Sequence, residues 1–368
     1  MLVTVTGGTG FVGSHSVAAL VAAGHRVRLL VRDPAAVERA LDPLGVSGAS
    51  VDVVVGGVTQ EIAVARAVRG ADAVLHAASV YSFNSRRRAE IRATNAYGTE
   101  IVLNAARRAW VDPIVHVSSV VALYPAVGRA IRIDSPVGRP HDAYMASKAE
   151  AELIARRHQD DGAPVVISYP PALLGPHDPR LGDQTSRLRD LLRGLMPMWP
   201  LGGFPVGDVR DTALMHAGLL TSPARYPYRY FGPNRYLTTR EFIRALRETT
   251  GRMLPTAFLP AAAMLPVGLL ADRVQRFVPW HLPVEHGAIY TCACATRVDE
   301  EAGTGEGAAH GIRPRPLSET FADTIGWLYR SGQLSARQAG APSCEPADRR
   351  AAAMLAQEVS SISARSEG

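Results

Sequence analysis

A tyrosine and a lysine four residues apart are the residues best placed to do chemistry. Tyr144 and Lys148 bound the segment Tyr-Met-Ala-Ser-Lys, and a spacing of four puts both side chains on one face of a helix, one turn apart. A tyrosine with a pKa of about 10 transfers protons poorly at neutral pH, and a nearby ammonium lowers that pKa by favouring the phenolate. The pair therefore predicts an acid/base tyrosine assisted by Lys148. The simpler alternative is a helix tyrosine with its hydroxyl in water.

Lys148 is the only lysine in the chain, because the other 39 of its 40 Lys and Arg residues are arginines. A compact ammonium can donate to neighbouring hydroxyl groups, including those of a ribose, for which the flat arginine fork is less suited. Chance could leave one lysine anywhere, so only its neighbourhood gives the observation meaning.

Two serines follow a strand-like run upstream of this pair. Ser118 and Ser119 come directly after Ile114–Val117, and ligands of open parallel sheets bind beyond the carboxyl ends of the strands. This placement predicts that Ser119 holds a substrate carbonyl beside Tyr144. Taken alone, either serine is equally typical of a turn cap.

A glycine-rich loop begins the chain, between the apolar run Leu2–Val5 and the helical pattern Phe11–Ala23. Its glycines suit a tight turn, a close approach of backbone to a pyrophosphate, and close packing of helix on strand. The amides and dipole of the helix would then hold the phosphates. The alternative is a strand-to-helix turn without a ligand. The residues predicted to bind a dinucleotide are Gly7, Thr9, Gly10, Phe11, Val12 and Gly13.

The end of the second strand-like run bears on the choice of dinucleotide. An NAD site usually places an acid there for the ribose 2′-hydroxyl, whereas a 2′-phosphate favours arginine. Here Val31 occupies the expected acid position and Arg32 follows it. This favours NADP(H), while the adjacent Asp33 leaves NAD(H) open, and an ordinary surface arginine is the alternative for Arg32.

Apolar runs alternate with helical patterns through the first half of the chain. Buried strands separated by helices predict a parallel sheet covered on both faces, which is an α/β fold with a Rossmann-type doubly wound sheet. The strand-like runs are Leu2–Val5, Val27–Val31, Val51–Val55, Ala73–His76, Ile114–Val117 and Val165–Tyr169. The helical patterns are Phe11–Ala23, Pro34–Leu41, Ile62–Val68, Arg86–Trp110 and Ala143–His158.

Beyond Pro170 the alternation loosens and predicts a smaller substrate domain interleaved with the last parts of the sheet. We expect a dinucleotide-binding domain at 1–174 and 203–234, a substrate domain at 175–202 and 235–333, and a flexible tail at 334–368 with one helix near Ala347–Val359. The later elements are predicted at Asp211–Leu220, Tyr228–Phe231, Thr238–Thr249 and Leu317–Tyr329.

One stretch resembles a membrane span in composition. Met253–Ala271 has 19 residues without a charge, but it contains Pro255, Pro260 and Pro266, which argue against one continuous helix. We expect an apolar helix pair on the substrate side or a patch that contacts a membrane surface, rather than a transmembrane segment.

Composition excludes several classes of protein. A chain with 47% hydrophobic and 20% charged residues is globular, and three cysteines are too few for a disulfide scaffold, which favours the cytoplasm. A net charge of +6 is too small and scattered to indicate a nucleic-acid partner, and the run at residues 86–88 is typical of a solvated helix face. Cys292 and Cys294 lack the further ligands of a metal site, so no metal is predicted. The amino terminus shows no signal-peptide pattern.

Three further polar residues have less specific interpretations. His76 and His116 lie on strand-like runs, and both are expected to be core or cofactor-edge residues rather than catalytic ones. Arg210 lies between two aspartates, so a salt bridge and contact with an anionic substrate are equally good interpretations.

These motifs, in this order, resemble the extended short-chain dehydrogenases/reductases, the NAD(P)-dependent epimerase/dehydratase group. Within that group, the chain is most similar to the branch of dihydroflavonol-reductase-like and 3β-hydroxysteroid-dehydrogenase-like enzymes. The resemblance covers about residues 1–333. Its pieces are Thr6–Gly13, Val31–Pro34, Gly70–Ala78, Asn95–Thr99, Val117–Ser119, Tyr144–Lys148, Tyr169–Ala172, Gly207–Asp211 and Gly311–Leu317.

The resemblance implies roles for individual residues. Tyr144 would be the catalytic acid/base, Lys148 its partner and a ribose ligand, and Ser119 the residue that orients the carbonyl. Asn95 would brace the sheet, and two helices, Arg86–Trp110 and Ala143–His158, would form a homodimer interface. Further cofactor contacts are implied for Ala77, Ala78, Ser118, Pro170, Ala172 and Leu173.

Two departures from the family pattern limit the function. Gly56-Gly57-Val58 lacks the acid that often meets the adenine amino group, so backbone must make that contact. Val120 and Val121 stand where dehydratases have Asp-Glu, so dehydration is disfavoured because the second acid and base are missing. The resemblance implies an oxidoreductase that transfers a hydride between nicotinamide and a carbonyl or secondary alcohol of a hydrophobic small molecule. The alternatives are a sugar-nucleotide epimerase with tightly bound NAD and a non-catalytic nucleotide-binding regulator.

Overall fold

The fold is taken from a computed structural model, which describes residues 1–81, 88–126, 128, 130–221, 228–274, 277, 286–298 and 312–340. Its central feature is a parallel sheet of seven strands in the order β3-β2-β1-β4-β5-β7-β11. The strands are β1 Leu2–Thr6, β2 Arg26–Val31, β3 Asp52–Val55, β4 Ala73–His76, β5 Ile114–Val117, β6 Ala130–Ile131, β7 Val165–Tyr169, β8 Ala172–Leu174, β9 Met198–Leu201, β10 Gly203–Asp208, β11 Arg229–Phe231, β12 Arg235–Thr238, β13 Ala257–Pro260 and β14 Arg297–Val298. The predicted α/β class and doubly wound sheet are confirmed.

Helices cover both faces of this sheet. The helices are α1 Phe11–Ala22, α2 Ala35–Leu41, α3 Glu61–Val68, α4 Arg88–Arg92, α5 Gly98–Arg108, α6 Ala143–Asp160, α7 Asp183–Leu192, α8 Val209–Thr221, α9 Thr239–Thr250, α10 Ala261–Val274, α11 His286–Cys294, α12 Leu317–Arg330 and α13 Ala336–Ala339. On one face α1, α2 and α8 pack over Val3, Val5 and Leu29, and on the other α3, α5 and α6 form a second buried cluster. Strands that are apolar on both faces explain the continuous hydrophobic runs in the sequence.

A helical run crosses from α4 to α5 without a break, but its middle turn, Ala93–Tyr97, is π-helical. The predicted long helix is therefore present, although residues 86 and 87 lie outside the described residues. The π turn contains Asn95, whose buried side chain is described with the site below.

The smaller part of the molecule contains short sheets and the later helices. Strands β8, β10 and β12 form a three-stranded sheet, and β9 pairs with β13. Helix α9 begins at a capping box in which Thr238 and Glu241 exchange hydrogen bonds, as its Thr-x-x-Glu pattern favours. The division into two interleaved domains remains our proposal.

Two expectations for this region need correction. Within Met253–Ala271 the structure has the strand β13 and the one helix α10, not a helix pair, and Pro266 lies inside that helix. The folded body also extends past residue 334, because Leu334 and Ala339 are buried and Arg252 donates to the Gln338 carbonyl. The predicted helix near 347–359 lies outside the described residues.

Among the helices that the structure describes, none combines the length and the apolar character needed to cross a bilayer.

Candidate active site

A single continuous cavity of about 980 Å³ lies beyond the carboxyl ends of the sheet strands and extends toward the later helices. Its glycine end is formed by the loop after β1, the end of β2 and the segments after β4 and β5. Its apolar end is lined by Met196, Trp199, Phe204, Phe242, Met264 and Ile289. Every residue that the sequence singled out for catalysis or cofactor binding lines this cavity: Gly7, Thr9, Gly10, Phe11, Val12, Gly13, Arg32, Ala77, Ala78, Ser118, Ser119, Tyr144, Lys148, Pro170, Ala172 and Leu173.

The glycine loop has the geometry of a phosphate cradle. Gly7 has a φ of +75°, and a Cβ on Gly13 would meet the Gly7 carbonyl oxygen at 2.1 Å, so both positions require glycine. The Gly10 amide donates to the Gly7 carbonyl at 2.9 Å, and α1 begins directly after it without an acidic residue in its first turn. Backbone packed this closely at a helix N-terminus fits a dinucleotide pyrophosphate.

The region after β2 contains two arginines and one aspartate, all lining the cavity. Asp33 is already engaged, because its carboxylate accepts from the Ala35 amide at 3.0 Å and from Arg39 at 2.9 Å. Arg32 has a solvent-exposed side chain whose nearest carboxylate, on Glu90, is 4.0 Å away. After β2, the charged side chain that is not held by a close hydrogen bond is therefore the guanidinium of Arg32.

Tyr144 lies one residue into α6, where Asp142 caps the helix by accepting from the Tyr144 and Met145 amides. Tyr144 is 7% exposed and lines the cavity together with Ser119, whose hydroxyl donates to the Pro170 carbonyl at 3.5 Å. Burial raises the pKa of Tyr144 well above 10, with Tyr81 and Asp142 adding to the effect, while the Ser119 hydroxyl lowers it. This direction is opposite to our expectation, because desolvation of the phenolate outweighs the influence of the lysine.

Lys148 is 4% exposed and lies one turn beyond Tyr144, as the spacing predicts. Its Nζ donates to the Val117 carbonyl at 3.1 Å, which directs the ammonium to the end of β5. Burial lowers the pKa of Lys148 to about 8, and the charge of Glu152 opposes this shift. At neutral pH Lys148 is therefore mainly an ammonium.

Glu152 and Arg156 continue the same face of α6 at intervals of four. Glu152 is fully buried, and its Oε1 accepts from the Tyr169 hydroxyl at 2.6 Å and from Arg156 Nε at 2.7 Å. Arg156 also donates to the Tyr169 hydroxyl at 3.2 Å. This group places a buried negative charge one turn from Lys148, where it stabilises the ammonium.

Two histidines lie side by side beneath Lys148, as the register of β4 and β5 places His76 opposite His116. His76 hydrogen-bonds through Nδ1 to Thr6 and through Nε2 to Thr99. Neither ring nitrogen of His116 has a hydrogen-bond partner among the described residues. Burial lowers the pKa of His76 to about 3, so the pair is neutral and belongs to the core, as predicted.

Asn95 braces the loop after β4, as the resemblance implied. Its Oδ1 accepts from the Val80 amide at 2.7 Å, and its Nδ2 donates to the Val80 carbonyl and to Ser147 on α6. The braced loop carries Tyr81, whose ring meets that of Tyr144 edge to face at a centroid distance of 4.9 Å. Asn95 thus contributes to the position of Tyr144 without contacting it.

Comparison with known proteins decides the family. A sequence model of the NAD dependent epimerase/dehydratase family matches residues 3–214. The chain belongs to this family.

Two relatives match over most of their length. The sterol demethylase protein B of Methylococcus capsulatus is 27% identical over 91% of this chain and 100% of the relative. The 4-hydroxy-2-methyl-3-oxo-4-farnesyl-3,4-dihydroquinoline-1-oxide ketoreductase of Stigmatella aurantiaca is 30% identical over 74% of this chain and 80% of the relative. The chain described here is an NAD(P)-dependent oxidoreductase of the extended short-chain dehydrogenase/reductase type.

A solved structure supports the fold. UDP-glucose 4-epimerase from Bifidobacterium longum, in complex with NAD+ and UDP, superimposes with a TM-score of 0.68 and 19% identity over 90% of this chain and 99% of that chain. At this identity the likeness concerns the architecture alone.

The structure adds site residues of this family member that the sequence argument missed. Arg180 lines the glycine end and donates to Thr9, while Tyr81 contacts Tyr144. Neither had a motif to mark it, since each is placed by a loop whose path only the folded chain defines. At the apolar end, Met264 lies in the segment Met253–Ala271 that was expected on the substrate side, whereas Trp199, Phe204 and Phe242 had no motif.

The remaining candidates have structural roles. Arg210 is buried and pairs with Asp208 at 2.7 Å and Asp323 at 2.6 Å, so the salt-bridge interpretation is correct. Cys292 lines the cavity from α11, and burial raises the pKa of its thiol to about 12. Within the described part of the chain no three His, Cys, Asp or Glu side chains are grouped to hold a metal ion.

Proposed function

We propose that the protein transfers a hydride between NADP(H) and a carbonyl or secondary alcohol of a hydrophobic small molecule, with Ser119, Tyr144 and Lys148 as its catalytic residues. The observation that carries the proposal is that Ser119, Tyr144 and the buried Lys148 line the same cavity as the glycine loop, with the Lys148 ammonium fixed on the Val117 carbonyl at 3.1 Å. In this position a reacting carbonyl would meet both hydroxyl groups while the rest of the substrate occupies the apolar end.

Each catalytic side chain has a distinct task. The bound nicotinamide supplies or accepts the hydride at the carbonyl carbon. In the reductive direction the Tyr144 hydroxyl gives its proton to the carbonyl oxygen, and Ser119 donates a hydrogen bond to that oxygen as charge develops. At neutral pH the Tyr144 hydroxyl carries the proton that reduction needs, but its raised pKa makes it a weak acid, so release of that proton depends on the Lys148 ammonium. Lys148 stabilises the phenolate that remains and donates to ribose hydroxyls.

The preference for NADP(H) rests on the charges after β2. Asp33 is held by Arg39 and the α2 backbone, so its carboxylate is occupied, whereas Arg32 lines the cavity with its side chain 66% exposed. An exposed guanidinium matches a 2′-phosphate better than a 2′-hydroxyl. The adenine lies against the Gly56-Gly57 backbone in this proposal, because no acid follows β3.

The hydrophobic substrate class is supported by the side chains of the apolar end. Three aromatic rings, those of Trp199, Phe204 and Phe242, form one packed group with centroid distances of 5.7 Å and 5.3 Å. Met264 reaches the cavity from α10. The ketoreductase relative is named for a farnesylated compound and the other for sterol demethylation, which agrees with a large apolar substrate.

The first experiment identifies any nucleotide released on denaturation and titrates the native protein with NADPH and NADH by fluorescence. We expect an exchangeable site that binds NADPH more tightly. In Arg32→Gln the ratio of the two affinities should fall by roughly 10-fold or more, since a hydrogen bond to a charged group contributes about 1.5–3 kcal/mol. Stoichiometric retained NAD would support an epimerase instead, and failure to bind either nucleotide would overturn the proposal.

We also propose that two copies pair through α5 and α6, as the resemblance implies. Tyr97, at the start of this surface, and Leu153, on α6, are large apolar side chains that are 53% and 57% exposed. Sedimentation equilibrium tests this, and a monomer at micromolar concentration would contradict it.

A further inference from the structure

Residues 175–182 form a strap that links β8 to α7 and reaches the glycine loop. Arg180 of the strap donates through Nη2 to Thr9 Oγ1 at 3.2 Å, a contact between residues 171 positions apart in sequence. Both residues line the glycine end of the cavity. The strap therefore brings a guanidinium to the loop that we propose as the phosphate cradle.

The strap is fixed on both sides of Arg180. Toward β8, the Pro176 carbonyl is hydrogen-bonded to Nε2 of His15, a buried residue of α1, at 3.0 Å. Toward α7, buried Asp178 accepts from the Gly182 amide at 2.9 Å and from the Thr185 hydroxyl at 2.7 Å. These bonds fix the backbone on both sides of Arg180, whose exposed side chain is directed to the glycine loop by its bond to Thr9.

The backbone of the strap is also constrained. His177 and Leu181 adopt φ values of +58° and +46°, in the left-handed region that residues with a Cβ rarely occupy. Such conformations persist where surrounding contacts determine them, and they cluster at ligand-binding segments. Here they flank Arg180 and set the direction in which its side chain leaves the strap.

Among the described residues, no carboxylate forms an ion pair with Arg180. The side-chain hydrogen bond that it makes there is to Thr9, which is neutral. The nearest carboxylate in sequence, that of Asp178, is directed to the backbone of the strap and to α7. A fixed guanidinium beside helix N-terminal amides is suited to a doubly negative diphosphate.

We propose that Arg180 binds the pyrophosphate of the dinucleotide, closing the cradle formed by the glycine loop. The inference rests on the proposed function, since it needs a dinucleotide in the cavity. It assigns Arg180 a different task from Arg32: Arg180 contacts the part that NADPH and NADH share, and Arg32 contacts the part in which they differ.

The test compares nucleotide binding, measured by fluorescence, in the wild type and in Arg180→Gln, Arg180→Lys and Arg32→Gln. Arg180→Gln should weaken NADPH and NADH by the same factor, roughly 10-fold or more. Arg180→Lys should lose less because it keeps the charge, and Arg32→Gln should weaken NADPH selectively. Arg244→Gln, an exposed change on α9 outside the cavity, is the matched control and should leave both affinities unchanged.

Competition with nucleotide fragments isolates the pyrophosphate. Arg180→Gln should weaken ADP-ribose, which contains the diphosphate, and leave adenosine, which has no phosphate, within about twofold. Unchanged ADP-ribose binding, or a loss confined to NADPH, would overturn the assignment. If the wild type bound none of these nucleotides, the proposed function itself would fail, an outcome that is distinct from failure of the Arg180 assignment.

Discussion

The two ends of the cavity are built on different principles. At the glycine end the wall formed by the glycine loop is backbone, and a Cβ added at Gly13 would lie 2.1 Å from a carbonyl oxygen. At the apolar end the walls are side chains from β9, α9, α10 and α11, among them Trp199 and Met264. Backbone walls fix one ligand shape, whereas side-chain walls can be exchanged residue by residue. The difference indicates that cofactor geometry is fixed by the fold and substrate choice by replaceable side chains.

The largest effect is expected at Tyr144, where the two ends meet. Tyr144→Phe removes only the hydroxyl, so the ring contact with Tyr81 and the cofactor cradle should persist. Turnover should fall by about 100- to 10,000-fold, the usual contribution of a general acid, while the NADPH dissociation constant stays within about twofold. Steady-state kinetics and fluorescence titration measure the two quantities. Near-full activity would show that another group supplies the proton.

A matched pair of substitutions tests the contrast between the ends. Gly13→Ala should weaken NADPH by more than about 100-fold, because the loop must shift to admit the methyl group and the lost amide contacts are made to charged groups. Met264→Ala should leave NADPH binding unchanged and alter KM for hydrophobic carbonyls by several-fold, since about three carbon-sized groups leave the wall.

Thermal melting of both variants without nucleotide serves as the control for folding. Equal effects of the two variants on NADPH affinity would remove the distinction between a backbone wall and a side-chain wall.

The last prediction concerns acid stability and four buried histidines of the large sheet and its helices α1 and α8. Burial lowers the pKa of His15 to about 4, of His76 and His216 to about 3, and of His116 well below 6.5. Each histidine is neutral in the folded protein and charges more readily when unfolded. The free energy of unfolding is therefore highest above pH 6.5. Below that pH the unfolded state takes up protons that the folded state does not, and the free energy of unfolding falls by up to about 1.4 kcal/mol per pH unit for each histidine.

Urea unfolding between pH 7.5 and 5 measures this slope. His116→Phe removes one titrating group, and its stability should decline less steeply with acid than that of the wild type. An identical slope would mean that His116 does not titrate in this range.

Sequence reasoning succeeded where a local pattern determines the structure. The strand–glycine–helix order predicted the cradle, and the spacing of Tyr144 and Lys148 predicted their shared helix face. These features depend on neighbouring residues, so the chain order alone contains them. The alternation of apolar runs likewise predicted the parallel sheet.

Features that depend on tertiary packing were not accessible in this way. The pKa of Tyr144 moved opposite to the expected direction, because the sequence shows its lysine neighbour but not the depth of its burial. Arg180 and Trp199 reach the cavity from segments with no motif. The prolines of Met253–Ala271 correctly predicted that this stretch is not one continuous helix, but nothing in the sequence showed that Pro266 would lie inside α10.

The π turn at Ala93–Tyr97 has a consequence for how this protein can vary. A π turn contains one residue more than a regular turn, so it behaves as an insertion that the helix has absorbed. Removing one residue there would turn the π turn into a regular α turn, which keeps α4 and α5 in line but moves the side chains inside the turn. Asn95 could then no longer hold both Val80 and Ser147. An insertion or deletion in the helix from α4 to α5 would thus displace the loop that carries Tyr81, and with it the Tyr144 hydroxyl. This helix therefore does not tolerate a change in its length.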